Sequence, residues 1–568
     1  MKIIHFAAPS ATASSPSRRA TRLFPFGIQG AALIVVLAAS MVGCQSMPLD
    51  YAGLNDKIAN GDQVAVGELR RAFLDLEDLP ERMERLRDLE LQAAQLFEDE
   101  PLKLGSIGTA ILDTYYGSLT GHFALSRFYE FVGSEEAAVP HRQWQARIRE
   151  DMEASADGSR ESPYPAVTDV EAQMYAVSLG LSPVGSIYQT GEAFPYTLLI
   201  QARPADGPLR NLYFDLGGWY ESMRRQFPDE NEFSPFALIG FQARRGDTAA
   251  QVAVGAFLAT QGRGDEAVDW LRAASRTGNL LANSLLARIF WEEANKDGED
   301  DARQAALDEV LENYLHAVAL GSADAMYALG VLYMNEHYGA ENRDSGVPLL
   351  RQAAELEHSD AAMLLAHMHY TGEGVERDLD RATDYYVASA ESGNDFARRS
   401  YARFLLAEAR EDPRALQWLE ELAEDDDAEA MILLGNLHAR GVGVKQSLRR
   451  AVGWYKDAVD ASGGDANIVN EVAWTLTVSD LEGLKRTRYA LNIMEDLMTR
   501  DDEARRKPEY LDTWAATYAA NGDFIRAVAV QEEAVEAAED DQYEGVREII
   551  KTHLDAFKSG KTITETAP

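Results

Sequence analysis

Two stretches of this chain repeat one another, and that repetition limits what the chain can fold into. Asp360–Gly393 reads DAAMLLAHMHYTGEGVERDLDRATDYYVASAESG, and Ala430–Gly463 reads AMILLGNLHARGVGVKQSLRRAVGWYKDAVDASG. In the first, Ala361, Leu365 and Met368 recur at helical spacing and predict one apolar stripe. Gly372-Glu373-Gly374 follows, and its glycines can take positive φ and stop the helix. Asp378 is placed to cap a second helix whose Ala382, Tyr385 and Ala388 or Ser389 face back onto the first. A lone hairpin of this size cannot bury its stripe, so stacked neighbours are required.

The second copy stays in register with the first. Leu434-Gly435 stands in the place of Leu365-Ala366, Gly441-Val442-Gly443-Val444 in that of residues 372–375, and Trp454 in that of Tyr385. On these positions the chain resembles the Sel-one-like repeat family, a relative of the tetratricopeptide repeats. It departs from the family pattern where His369 and His438 replace a first-helix tyrosine and Ser447 replaces an aspartate. The resemblance implies a mainly α fold, an α-solenoid of helical hairpins.

Aligning the Leu-Gly place of each first helix gives Val254, Leu286, Leu329, Leu365, Tyr401, Leu434, Val472 and Trp514. The steps between them run from 32 to 43 residues, the spacing of helical-hairpin repeats. A Sel-one-like array is therefore expected over residues 247–478 and tetratricopeptide-like repeats over 479–557. Pro413 and Pro348 fall where second helices begin and suit a first turn. The turn of the third copy is read over 335–344, and residues 558–568 read as a disordered tail.

The chain opens on a targeting pattern. Lys2, Arg18, Arg19 and Arg22 precede an apolar run, Ala31–Val42, that is too short for a convincing membrane span. Met41-Val42-Gly43-Cys44 follows, and Cys44 is the sole cysteine. This resembles a bacterial lipobox, which implies a signal peptide over 1–43 and acylation of Cys44, whose lipid chains anchor at about 0.8 kcal/mol per buried methylene. Gln45-Ser46 lacks the aspartate that retains such lipoproteins at the inner membrane, which implies the periplasmic face of the outer membrane. With no further cysteine, disulfides, thiolate catalysis and cysteine-based metal sites are excluded from the mature fold.

Residues 44–160 read as a tether, over 45–60, followed by a helical region. Its aromatic stretch contains Tyr115, Tyr116, Phe123, Phe128, Tyr129 and Phe131, a spacing that reads as core. Residues 161–246 break the helical texture. Runs rich in β-branched and aromatic residues, bounded by Gly and Pro, predict two or three strands in a small α/β insert.

The formal charge of −39 argues against a nucleic-acid surface, which needs basic patches for phosphate. It reads as a solubility adaptation or, alternatively, as a match for a cationic partner. His367 and His369 are two apart, so a helix sends them to different faces, and His369 is expected to pack in the tyrosine place. No G-x-S-x-G elbow and no phosphate-binding glycine loop after a strand is found. No catalytic, cofactor-binding or metal-binding set is expected, and the chain reads as a non-enzyme.

Stacked hairpins line a concave groove with their first helices. Tyr327, His367, Arg398, Asn436 and Glu471 are the non-core residues expected to meet a protein partner there. Repeat lipoproteins of the resembled family help assemble envelope machinery, including exopolysaccharide export, so the resemblance implies a membrane-anchored protein-binding scaffold. The alternative is a carbohydrate-active or enzyme-accessory protein with its function in residues 100–245.

Overall fold

Hairpins, caps and small residues build this fold in the order the repeat dictates. The computed structural model describes residues 50–566, apart from 98, 226–232, 297–299, 336–342 and 540–542. The expected signal peptide, Cys44 and most of the turn read over 335–344 lie outside the described residues.

Six helices come first: α1 (Tyr51–Ala59), α2 (Val66–Leu74), α3 (Leu79–Leu96), α4 (Leu104–Thr114), α5 (Leu119–Phe131) and α6 (Glu135–Ser155). A short strand β1 (Tyr164–Pro165) and α7 (Asp169–Ser178) lead into β2 (Ser182–Gln189), β3 (Thr197–Arg203) and β4 (Arg210–Asp215). The sheet runs β1-β4-β3-β2, with β1 parallel to β4 and the other pairs antiparallel. Thr197 to Ile200 of β3 are all buried, as fits a strand covered on both faces. Helices α8 (Gly217–Arg224) and α9 (Pro235–Arg244) close this part.

Eight hairpins follow. They are α10 (Thr248–Thr260) with α11 (Gly264–Ser275), α12 (Leu280–Ala294) with α13 (Asp300–Ala319), and α14 (Ala323–Met334) with α15 (Arg343–Glu355). Next come α16 (Ser359–Thr371) with α17 (Leu379–Glu391), α18 (Asp395–Ala407) with α19 (Pro413–Glu424), and α20 (Ala428–Arg440) with α21 (Leu448–Ala461). The last are α22 (Ala466–Val478) with α23 (Thr487–Arg500) and α24 (Pro508–Ala520) with α25 (Phe524–Ala537), before a final helix α26 (Glu544–Lys558).

Each of the eight register residues falls on the first helix of its hairpin. The residue after each is Gly or Ala without exception: Gly255, Ala287, Gly330, Ala366, Ala402, Gly435, Ala473 and Ala515, all buried. The physical reason is closeness of approach. A Cβ on Gly255 would meet Leu271 of α11 at 2.6 Å, and one on Gly435 would meet Tyr455 of α21 at 2.5 Å. Small residues at this place let the second helix lie down on the first, which is how the repeat hides its stripe.

Turns and caps agree with the sequence. Gly372, Gly374, Gly441 and Gly443 all take positive φ, and Gly372 N–H donates to Met368 O at 2.8 Å as a left-handed C-cap. Asp378 accepts from the amides of Asp380 and Arg381, and Ser447 from that of Arg450. Pro413 sits in the first turn of α19, as its position predicts. Pro348 does not, because α15 already starts at Arg343 and carries it inside the helix.

The first helices also share a capping device. From α10 to α22 each begins with a side-chain N-cap: Asp247, Asn279, Ser322, His358, Asn394, Asp427 and Asp465. Several of these caps bond backwards into the preceding hairpin as well. His358 takes the Ala361 amide on Nδ1 and reaches Asp324 with Nε2 at 3.2 Å, while Asn394 donates to Ser359 at 2.8 Å. One polar residue thus starts a helix and fixes its distance from the last one.

Tyr385 faces the first helix, its ring stacked on His369 with centroids 5.8 Å apart, and Ala382 and Ser389 are buried beside it as the spacing predicts, whereas Ala388 is exposed. The most buried aromatics of the two second helices are Tyr386 and, on α21, Tyr455. Three other expectations need correction. The tether does not span 45–60, because Tyr51 and Leu54 are buried in α1 and the Tyr51 hydroxyl accepts from the Tyr116 amide at 3.0 Å. The boundaries at 160 and 246 cut through one interior, which runs from Tyr51 and Phe73 through Tyr175, Ile200 and Phe214 to Ala250. Residues 558–566 are not a loose tail. Glu565 N–H donates to Val478 O and Asp480 N–H donates to Glu565 O, each at 2.8 Å.

Candidate functional site

Curvature follows from which helices touch. First helices contact one another from α18 through α20 and α22 to α24, whereas successive second helices make no comparable contact among the described residues. First helices therefore form the inner layer of the coil and second helices the outer one.

Because the hairpins repeat, places two before and two after each register residue are equivalent from copy to copy. They carry Tyr327 on α14, His367 on α16, Arg399 and Arg403 on α18, Asn436 on α20, Trp474 on α22 and Asp512 on α24. Tyr327 is half-buried with its ring stacked on His358, centroids 4.7 Å apart. His367 is half-buried as well. Arg399 and Arg403 both pair with Glu429 of α20, at 3.2 and 3.0 Å, and Arg399 also holds Asp427 at 2.5 Å. Glu471 is exposed on α22, close enough to Arg403 and Glu429 for their charges to act on it.

Two expected groove residues belong elsewhere. Asn436 is only 6% exposed and accepts from the Tyr455 hydroxyl at 2.6 Å, so it joins α20 to α21 inside the hairpin. Arg398 donates to Ala390 O at 3.2 Å and pairs with Asp395 and Glu421, bracing α18 against its neighbours. The groove-facing arginines of that hairpin are Arg399 and Arg403, which flank Tyr401 and were recoverable from the register. His369 is buried, with Nδ1 on Glu376 O at 3.1 Å, so it braces the glycine turn.

Trp474 and Asp512 are the two inner places that another element occupies. His553 of α26 lies with its ring 5.8 Å from Trp474, and its Nδ1–H donates to Asp512 at 2.9 Å. Gln531 donates to Asp512 and to Ile550 O. Helix α26 thus stacks on α24 and α25 as the next helix in series, and His553 carries its contact on to Trp474 of α22.

Residues 87–247 hold buried polar groups that sequence reasoning missed. Arg87 reaches Asp169 at 2.8 Å and Asp247 at 2.5 Å, and the Tyr188 hydroxyl donates to Asp247 at 3.3 Å. Glu90 accepts from Ser118 at 2.7 Å and Thr168 at 2.5 Å, and Glu171 accepts the Val167 amide at 2.7 Å. Burial, with Glu171 nearby, pushes the Glu90 carboxyl up to about 8. Burial likewise raises Glu171, against the pull of Arg70. His122 gives its Nε2–H to Tyr116 O at 2.9 Å and so receives His141 on Nδ1 at 3.0 Å; burial lowers it to about 3. The carboxylates are spent on bonds that join α3, α7 and α10, which makes this network a clamp between the helical region, the sheet and the first hairpin.

Three segments, residues 323–358, 359–394 and 428–462, match the Sel1 repeat family model. The Sel1-repeat-containing protein YjcO of Escherichia coli strain K12 is 28% identical over 168 residues, covering 29% of this chain and 70% of YjcO. Among solved structures, a Sel1 repeat protein from Oxalobacter formigenes is 24% identical, with 45% of this chain and 98% of that one covered and a TM-score of 0.33. The protein c5321, a protective antigen present in uropathogenic Escherichia coli strains, is 15% identical, with 88% and 97% covered and a TM-score of 0.41. The chain thus carries Sel1 repeats over these three segments, and helical repeats of this kind generally serve as protein–protein interaction scaffolds.

Proposed function

We propose that this chain is a lipid-anchored envelope scaffold, held on the periplasmic face of the outer membrane through acylated Cys44 and gripping an envelope protein along its inner face. Envelope assembly, of which exopolysaccharide export is one example, is the setting that the resemblance implies. The observation that carries the scaffold reading is the line of Tyr327, His367, Arg399 and Arg403, polar places two before or two after the register residue that stay at least partly accessible on α14, α16 and α18.

Site-specific photo-crosslinking at His367 and Arg403 in cells tests it. One discrete envelope protein is expected, lost on Arg403→Glu with the fold intact. A chain that fractionates with membranes yet gives no crosslinked product overturns the scaffold. The anchor has its own test: Cys44→Ala is expected in the soluble periplasmic fraction, and unchanged membrane association overturns it.

A further inference from the structure

The last described residues do more than trail from α26. After the helix ends at Lys558, residues 561–566 run extended along the segment that joins α22 to α23. Glu565 exchanges two backbone hydrogen bonds with that segment, giving to Val478 O and taking from Asp480 N–H, in a parallel bridge with Ser479. Its carboxylate accepts the Trp474 indole N–H at 2.9 Å. Ile563 packs against the apolar cluster of Val478, Leu491 and Leu511, while Thr562 and Thr564 stay exposed. Ile563 is the half-buried residue of this stretch, and Glu565, though exposed, turns its carboxylate to the Trp474 indole.

We propose that the 478–480 edge, the Trp474 indole and the apolar slot beside them form a peptide-binding site for an extended segment with a β-branched apolar residue two places before a carboxylate. The chain's own Ile563-x-Glu565 occupies this site and must leave before a partner segment of the same pattern enters. The logic is strand addition. Backbone bonds to the Val478 carbonyl and the Asp480 amide supply part of the affinity, and alternate side chains supply the selectivity. An indole donor suits a carboxylate and refuses a cation, because it has no acceptor to offer. The strap is well placed to be displaced: apart from Ile563 it is exposed, and one bridge with two backbone bonds, the Trp474 indole bond and the Ile563 contact hold it. The inference does not depend on the envelope reading, since it concerns what this edge binds and not which protein presents it.

The test uses the full chain and a fluorescein-labelled peptide with the sequence of residues 559–568. Glu565→Pro removes both the amide donor and the carboxylate, and so releases the strap. The peptide is expected to bind this variant at least ~tenfold more tightly than the intact chain, whose own tail competes. Lysine in place of the peptide's glutamate, or Trp474→Phe in the released chain, is expected to abolish that gain. Equal binding to both chains, or none to the released one, overturns the proposal. If the variant fails to fold, amide exchange on the intact chain with excess peptide serves instead. The Glu565 amide is then expected to lose protection while Asp480 keeps it, and loss or retention at both overturns the site.

Discussion

Arg87 on α3 and Asp247 at the start of α10 meet at 2.5 Å, although 160 residues separate them. Asp247 is the N-cap of the first hairpin and accepts the Ala250 amide at 2.9 Å with its other oxygen. One carboxylate therefore starts the repeat array and ties it to the helical region. Arg87→Leu leaves Asp169 and Asp247 buried with their shared cation gone, at an expected cost of about 3–5 kcal/mol. Adding Asp247→Asn, which still caps, should recover a good part of it. Urea unfolding of the two variants and their double measures the coupling, and strict additivity contradicts the clamp.

Glu90 makes stability depend on pH in the sense opposite to that of a surface carboxylate. Its unfolded carboxyl titrates near about 4.3, whereas burial holds the folded one to about 8, so the folded state keeps the proton longer. Its contribution is full below the unfolded value and is lost as pH rises through the window up to about 8. Glu90→Gln cannot ionise, so its unfolding free energy should fall less between pH 5 and 8. The gain over the parent at pH 8 should be on the order of a few kcal/mol. Parallel pH profiles for parent and variant contradict this.

Much of the fold is legible in the sequence, because a hairpin repeat writes its packing into local spacing. The positions of Leu365, Gly372 and Asp378 fix a stripe, a stop and a start, and the copy from Ala428 repeats all three with Leu434, Gly441 and Ser447. The clamp was not legible: Arg87, Asp169 and Asp247 look like ordinary charges in so acidic a chain, and only tertiary folding brings them together. Asn436 misled for a related reason. Its place is equivalent to that of half-exposed His367, but in its own hairpin Tyr455 reaches across and buries it. The C-terminal strap was missed because Thr-Ile-Thr-Glu-Thr reads as a polar end, and its partner is an edge far back in the chain.

The bond between Asn436 and Tyr455 is expected to matter to stability and not to binding. Tyr455→Phe leaves the Asn436 carbonyl oxygen in the interior without its donor, at about 1–3 kcal/mol. Asn436→Ala strands the hydroxyl in the same way, and the double variant should cost less than the sum. Thermal unfolding gives the energies. Crosslinking from His367 should be unchanged in both single variants, and a loss there would return Asn436 to the groove.

Gly435 separates the packing role of the small residue from helix propensity. Alanine is the better helix former by about 1 kcal/mol, so an exposed helical glycine gains from the change. Here the new Cβ would stand 2.5 Å from the Tyr455 ring, which is fully buried and has no room to retreat. Overpacking of this kind costs about 1–3 kcal/mol, so Gly435→Ala should destabilise in spite of propensity. The hairpin of α16 and α17 supplies the control. Its equivalent residue is already Ala366, fully buried, so Ala366→Gly should lose about 1 kcal/mol by propensity and backbone entropy. Opposite substitutions at equivalent places are thus both expected to lower the melting temperature. A rise for Gly435→Ala would mean that α21 can move off α20, and that the small residue does not set the approach of the two helices.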